Sequence, residues 1–218
     1  MLMNTILENH SNSISNAQGW NIGRLERKDI ASAADVLRDA FATYPITHYM
    51  FEGLDDGPER FRVMFEYLVE ARIVRNWPVC VARVEGEIAG VAVISEPGEE
   101  YSTPELDLLW DNACSVMGEQ AMERFMRYAD VCDDTVPSWP HHYLGILGVR
   151  PDYQGRGIGA ALVEATKREA MRHPDSEGVC LNTEAEQNLA FYERCGLEIL
   201  ESCPVDSIRT WSMVWRSR

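Results

Sequence analysis

Three glycines, Gly155, Gly157 and Gly159, sit two apart in the stretch GVRPDYQGRGIGAALVEA, and a helical pattern follows at once. Glycine inside a helix costs about 1 kcal/mol relative to alanine, so a compensating role is expected. A helix N-terminus carries unpaired N–H groups and partial positive charge. Glycines there let a ligand approach the backbone with no Cβ in the way. The stretch therefore reads as a loop that binds a phosphate or pyrophosphate, with Arg156 beside it and Arg150 close by. Gly155-Arg156-Gly157-Ile158-Gly159-Ala160 also fits the G-x-G-x-x-G/A dinucleotide fingerprint, and Asp175 falls about 20 residues on. Two features oppose a dinucleotide. Pro151-Asp152-Tyr153-Gln154 separates the first glycine from the preceding strand, and too little chain follows for a doubly wound half-sheet. No G-K-[ST] appears, which excludes a nucleotide triphosphatase loop.

His141 and His142 are the next residues with chemistry to offer. In extended chain they point to opposite faces, so at most one faces a site. The same opposition argues against a zinc pair, since no other His or Cys completes a ligand set, and no metal is expected. The six cysteines are scattered and form no C-x-x-C. They read as free thiols of a cytoplasmic protein.

Two stretches carry a family resemblance. Val149-x-Pro151-x-x-Gln154-Gly155-Arg156-Gly157-Ile158-Gly159 resembles the acyl-CoA motif of the GNAT superfamily of N-acetyltransferases. Asn188-Leu189-Ala190-Phe191-Tyr192-Glu193-Arg194-Cys195-Gly196-Leu197 is similar to the N-x-x-F-Y-x-x-x-G-F signature of that superfamily and departs from it only at Leu197. Order and spacing make the two motifs stronger together than apart, and element order matches from Trp20 to the C-terminus. Within the superfamily the chain looks closest to puromycin N-acetyltransferase-like members, through Ala40–Pro45, the loop before HYLGILGV, and Arg209–Met213.

The resemblance implies an α/β (α+β) fold, with a mixed, mostly antiparallel central sheet flanked by helices. It implies acetyl-CoA as cofactor, its pyrophosphate on the glycine loop and its pantetheine arm along the preceding strand. Leu147, Gly148, Val149, Gln154, Gly155, Arg156, Gly157, Ile158, Gly159, Ala160, Asn188 and Phe191 then become cofactor contacts, although Asn188 could equally cap its helix. A backbone N–H near Leu147 or Val149 becomes the oxyanion donor. Tyr192 matches the family's general acid, and a phenol is protonated at neutral pH. Many relatives place a glutamate on the strand before the loop, but Tyr143–Val149 holds no carboxylate. His142 takes its place as the expected base, acting through water. Tyr44, Tyr49 and Phe51, with Glu52, fall in a segment that overlies the acceptor groove in the family and would receive an aromatic or cationic amine.

These residues need elements to hold them. Trp20–Leu25 reads as a strand, and a helix with Ile30, Ala33, Ala34, Leu37 and Phe41 on one face follows, with Asp29 as N-cap. Pro45 stops it, and TYPITHYMFEGLDD reads as a loop before a second helix that starts near Pro58. Val79–Ser95 reads as a hairpin turning at Glu85-Gly86. Its second run is nearly all apolar, so both its faces should be covered. Residues 97–140 look helical and loopy, with a core stripe of Met122, Phe125, Met126 and Ala129. HHYLGILGV and GVCLN are strands, NLAFYERCG is a helix stopped by Gly196, and LEILES and SIRTWSMVW close the chain as strands.

The 218 residues carry a net charge of −15. That argues against nucleic acid as a partner, while an acidic body suits a cationic small molecule. Asn and Ser crowd the start, so residues 1–18 are expected to be a disordered lead-in, with 19–218 a single domain. No signal peptide and no membrane span is read. The expected activity is acetyl transfer to a primary amine of a small molecule, in a ternary complex, by a monomer or homodimer. The alternatives are a non-catalytic acyl-CoA sensor and a protein N-acetyltransferase.

Overall fold

Strands β1 (Ile14–Ser15), β2 (Trp20–Arg24), β3 (Val79–Val84), β4 (Glu87–Ser95) and β5 (His142–Val149) lie side by side, each antiparallel to the next. β6 (Gly178–Thr183) runs parallel to β5, and β8 (Ile208–Arg216) then β7 (Glu198–Val205) complete an eight-stranded sheet. The computed structural model describes residues 14–15, 19–98 and 100–217. Of the expected lead-in, Ile14–Ser15 pairs with β2 as a strand, and the rest lies outside the described residues.

Alternation along the strands sorts the core onto two faces. Val79, Val81, Val91 and Val93 pack with α1 (Ile30–Phe41) and α3 (Gly57–Val74). Cys80, Ala82, Ala92 and Ile94 pack with α6 (Ile158–Arg172). β4 is buried on both sides, as its apolar run implies, and only Glu87 at its start is exposed. The hairpin turns at Glu85 (φ 51°) and Gly86 (φ 91°), the left-handed pair of a type I′ turn.

Two elements depart from the sequence reading. The aromatic segment after Pro45 is a short helix, α2 (Pro45–Met50), with the proline in its first turn, where a missing N–H costs nothing. Asp29 sits at the start of α1 but does not cap it, because its carboxylate accepts a bond from Arg83 Nη2 at 2.6 Å. The 97–140 region resolves into α4 (Pro104–Met117) and α5 (Glu119–Asp134), which extend the α1–α3 side. The Thr103 hydroxyl caps α4 through Leu106 N–H. In the α5 stripe Met122 and Phe125 pack against the core, whereas Met126 is exposed. The last helix, α7 (Leu189–Arg194), ends before Gly196, whose φ is 79°.

Candidate active site

β5 and β6 pair only at His142↔Val179 and Tyr143↔Cys180, and beyond that rung they separate. The β4–β5 register shifts between Val93 and Ile94, which leaves Gly145 as an extra residue in β5. Such a bulge bends its strand. The gap opens into a cavity of about 1200 Å³. The Arg150 N–H bonds the Ala89 carbonyl at 2.9 Å. Alternation along an antiparallel strand then turns the backbone groups of Val149 and Leu147 toward the open edge. Gln154 Nε2 already meets the Val149 carbonyl there, at 3.1 Å.

The glycine loop closes one end of the cavity. Gly157 occupies the position before α6 with φ 77°, a conformation that a side chain would strain. Gly159 lies under the Phe191 ring, where a Cβ would come within 3.2 Å of Cζ. Among the described residues no acceptor meets the N–H groups of residues 155–160. That row of free donors at the positive end of α6 fits a pyrophosphate. Leu147, Gly148, Val149, Gln154, Gly155, Gly157, Ile158, Gly159, Ala160, Asn188 and Phe191 all line the cavity. Arg156 does not. Its guanidinium bonds the Asp152 carbonyl at 2.9 Å and stacks 4.9 Å above the Tyr153 ring. Arg150 is likewise held by Asp152, at 2.7 Å.

On the opposite wall Tyr192 projects from α7 into the cavity with only 7% of its surface exposed. Burial pushes its phenol well above the usual range, so it stays protonated. Asn188 precedes α7 yet does not cap it. Its Nδ2 donates instead to the Tyr44 hydroxyl and to Thr183 Oγ1, each at 3.3 Å. Tyr44 Oη also lies 2.8 Å from Thr183 Oγ1 and accepts the Glu184 N–H at 3.3 Å. Tyr44 thus lines the cavity and pins the turn after β6, while burial pushes its pKa to about 12.

Besides Arg156, three expected residues lie elsewhere. Tyr49 donates its hydroxyl to Asp206 at 2.8 Å, and Phe51 packs on Phe61; neither lines the cavity. Tyr44 sits in extended chain before α2, Tyr49 falls on the helix side that packs toward Asp206, and Phe51 lies past the helix's end, against Phe61. His142 is fully buried and faces away from the cavity that its neighbour Tyr143 lines. Its Nδ1 meets Ser176 Oγ at 2.9 Å, its Nε2 has no partner among the described residues, and its ring lies 5.4 Å from that of His173. Burial pushes its pKa down to about 4. The expectation of a base at His142 is not met, because the ring is fully buried and does not line the cavity.

Glu184, just past the end of β6, is a carboxyl at the cavity that the sequence reading did not single out. Its carboxyl is buried but lines the cavity. Oε1 accepts Tyr128 Oη at 2.7 Å and Thr210 Oγ1 at 3.1 Å. Oε2 has no protein partner among the described residues. Burial lifts the carboxyl to about 7, against the pull of those two donors. One signal was available in sequence: Glu184 directly follows the strand GVCLNT.

The described residues contain no group of His, Cys, Asp and Glu fit to hold a metal. The described cysteines are free. No described helix is long and apolar enough to cross a membrane.

Known proteins share this fold. The family profile of the acetyltransferase (GNAT) domain matches residues 75–199. An uncharacterised N-acetyltransferase of Schizosaccharomyces pombe is 27% identical over 197 residues, which span 82% of this chain and 74% of the relative. Among solved structures, a histone acetyltransferase HPA2 and related acetyltransferase from Corynebacterium glutamicum superposes with a TM-score of 0.65 at 24% identity, over 90% of this chain and 96% of that one. The Drosophila melanogaster polyamine N-acetyltransferase, which forms N-acetylagmatine, superposes with a TM-score of 0.62 at 15% identity, over 91% and 100%.

Proposed function

The chain belongs to the GNAT acetyltransferases, which use acetyl-CoA, and we propose that it acetylates a primary amine of a small molecule by direct transfer. The observation that carries this reading is Glu184. Its unpartnered oxygen lines the same cavity as the free N–H groups of the glycine loop.

When bound, acetyl-CoA supplies an acetyl group activated as a thioester. The N–H groups of residues 155–160 hold the pyrophosphate, and the open edge of β5 holds the pantetheine arm. An amine that is protonated at neutral pH must lose a proton before it attacks. Glu184 Oε2 takes that proton, and a carboxyl titrating near 7 suits the task because a base works best when its pKa lies near ambient pH. Tyr128 and Thr210 fix its orientation through Oε1. The N–H groups of Leu147 and Val149, turned to the open edge of β5, would be the donors to the thioester carbonyl oxygen of a bound acetyl-CoA. The Tyr192 hydroxyl keeps the proton that a departing thiolate requires.

The acceptor half of the cavity is walled by α3, α4 and α5, which suits a small molecule. The likeness to puromycin N-acetyltransferase-like members places aminonucleosides among the amines to try, and the polyamine-acetylating neighbour adds polyamines. The test is thiol release from acetyl-CoA against such amines, arylalkylamines and dipeptides. Saturable release with one class is the expected result. Tight binding of acetyl-CoA with no release by any amine would instead identify a sensor.

A further inference from the structure

α3 and its C-cap residue carry four arginines, and most are matched. Arg60 pairs with Asp56 at 2.9 Å, Arg62 with Asp35 and Glu66 at 2.6 and 2.9 Å, and Arg75 with Glu100 at 3.5 Å. Arg72 is the exception. It lines the cavity, yet among the described residues no carboxylate lies within 4.0 Å of it. Its one hydrogen bond runs from Nη2 to Ser95 Oγ at 2.9 Å, and its Nε is buried without a partner. Its guanidinium carbon lies 6.0 Å from the Trp77 ring centre, at the outer limit of a cation–π contact. Burial disfavours its charge most strongly, Glu100 supports it only from a distance, and Arg75 opposes it. In a chain of net charge −15, a half-buried arginine whose Nε is buried and unpartnered beside an open cavity is costly. An anion in the cavity would relieve that cost.

We propose that Arg72 is the receptor for a carboxylate on the acceptor, so that the substrate is an amine that also carries an acid group. This rests on the reading of the site as an amine acetyltransferase. Position sets the spacing. Ser95, which anchors Arg72, stands opposite Tyr143 in the β4–β5 register, whereas the backbone groups proposed to face the acetyl group belong to Leu147 and Val149. The step from Tyr143 to Leu147 crosses the bulge and matches the three residues from Ser95 to Ala92 on β4, about 10 Å. Amine and carboxylate are therefore separated by several bonds, as in a dipeptide or an ω-amino acid, and not by the one carbon of an α-amino acid. Tyr67, Trp110 and Phe125 form an aromatic wall of the same cavity, and Tyr67 lies within electrostatic reach of Arg72. That wall suits an apolar segment between the two charges.

The test compares dipeptides and ω-amino acids with their terminal amides as acceptors. Charge-assisted bonds to a half-buried guanidinium imply that each acid exceeds its amide in kcat/KM by on the order of 30-fold. Arg72→Gln should erase that ratio and leave KM for acetyl-CoA unchanged, and Arg72→Lys should restore part of it. Calorimetry with N-acetylated dipeptides and their amides reads the anion preference without turnover. Equal binding and equal turnover of acids and amides by the wild type would overturn the carboxylate receptor while leaving amine acetylation intact. Thiol release from no acceptor, with the binding preference still present, would remove the acetylation and leave the receptor.

Discussion

Replacing Glu184 with glutamine separates its chemistry from its structural cost. Glutamine keeps the shape and keeps Oε1 as an acceptor for Tyr128 and Thr210. It loses the ability to take a proton at Oε2. General-base catalysis is worth about 10²–10⁴-fold, so kcat/KM should fall by that much. In the wild type kcat/KM should rise through pH 7 as the carboxyl ionises, and that limb should vanish in Glu184→Gln, leaving only the titration of the acceptor amine itself. The same substitution has a stability signature of opposite sign. The carboxyl titrates at an ordinary 4.5 when unfolded and at about 7 when folded. The folded state therefore binds its proton more tightly, and stability is full below pH 4.5 and is lost as pH rises through 7. The loss is about 3 kcal/mol on the alkaline side. Glu184→Gln should thus leave stability unchanged at pH 4 and raise it at pH 8 by up to that amount. For a chain of this size the gain is roughly 6–12 °C in Tm. The assays are a pH series of thiol-release rates and a pH series of thermal melts. A variant that keeps the limb near pH 7 and works within a few-fold of wild type would refute the base assignment. One that loses activity without gaining stability at pH 8 would refute the burial argument behind the pKa.

Other expectations follow from the same geometry. Tyr192→Phe removes the proton donor but little packing, so kcat should drop by about 10²-fold while KM for acetyl-CoA moves much less. Tyr44→Phe deletes the hydroxyl that holds Thr183, Asn188 and the Glu184 N–H, and it should lower kcat and shift the limb near pH 7. Gly157→Ala forces a side chain into φ 77°, which costs about 1–2 kcal/mol. It should raise KM for acetyl-CoA and weaken the thermal stabilisation that CoA confers. His142→Gln should leave the pH–rate profile unaltered. Its buried neutral ring titrates at about 4 when folded, against 6.5 when free, so the wild type loses stability as pH falls from 6.5 toward 4. Melts of the variant should lose that acid-side slope.

The parts of the site that local sequence encodes were legible. A helix start rich in glycine can be read from a few consecutive residues, because φ and donor geometry are local properties. Tyr192 was legible for the same reason, lying in one short motif with Phe191 and Gly196. The central strands were visible from alternation and from the apolar run of β4. The segment after Pro45 was misjudged because its aromatic residues suggested a surface loop, whereas proline in the first turn starts a helix as readily as it ends one. That short helix separates Tyr44, which lines the cavity, from Tyr49 and Phe51, which do not.

Glu184 was hidden for a physical reason. A carboxylate becomes a base at neutral pH only when burial lifts its pKa and fixed donors orient it. The donors here come from Tyr128 on α5 and Thr210 on β8, dozens of residues away on either side. In sequence Glu184 is one acid among the 35 that give the chain its charge. Arg72 was hidden for the complementary reason. Its significance is the carboxylate it lacks, and a missing partner shows only once the paired arginines of α3 have been placed. Both residues depend on the same feature, the parting of β5 from β6 after a single pair of rungs. Had those strands stayed hydrogen-bonded, the edge groups of Leu147 and Val149 would have a partner, and neither the Glu184 carboxyl nor the Arg72 guanidinium would line a shared cavity. The Gly145 bulge that bends β5 is therefore the element on which the proposed chemistry rests, although glycine there contributes no reacting group.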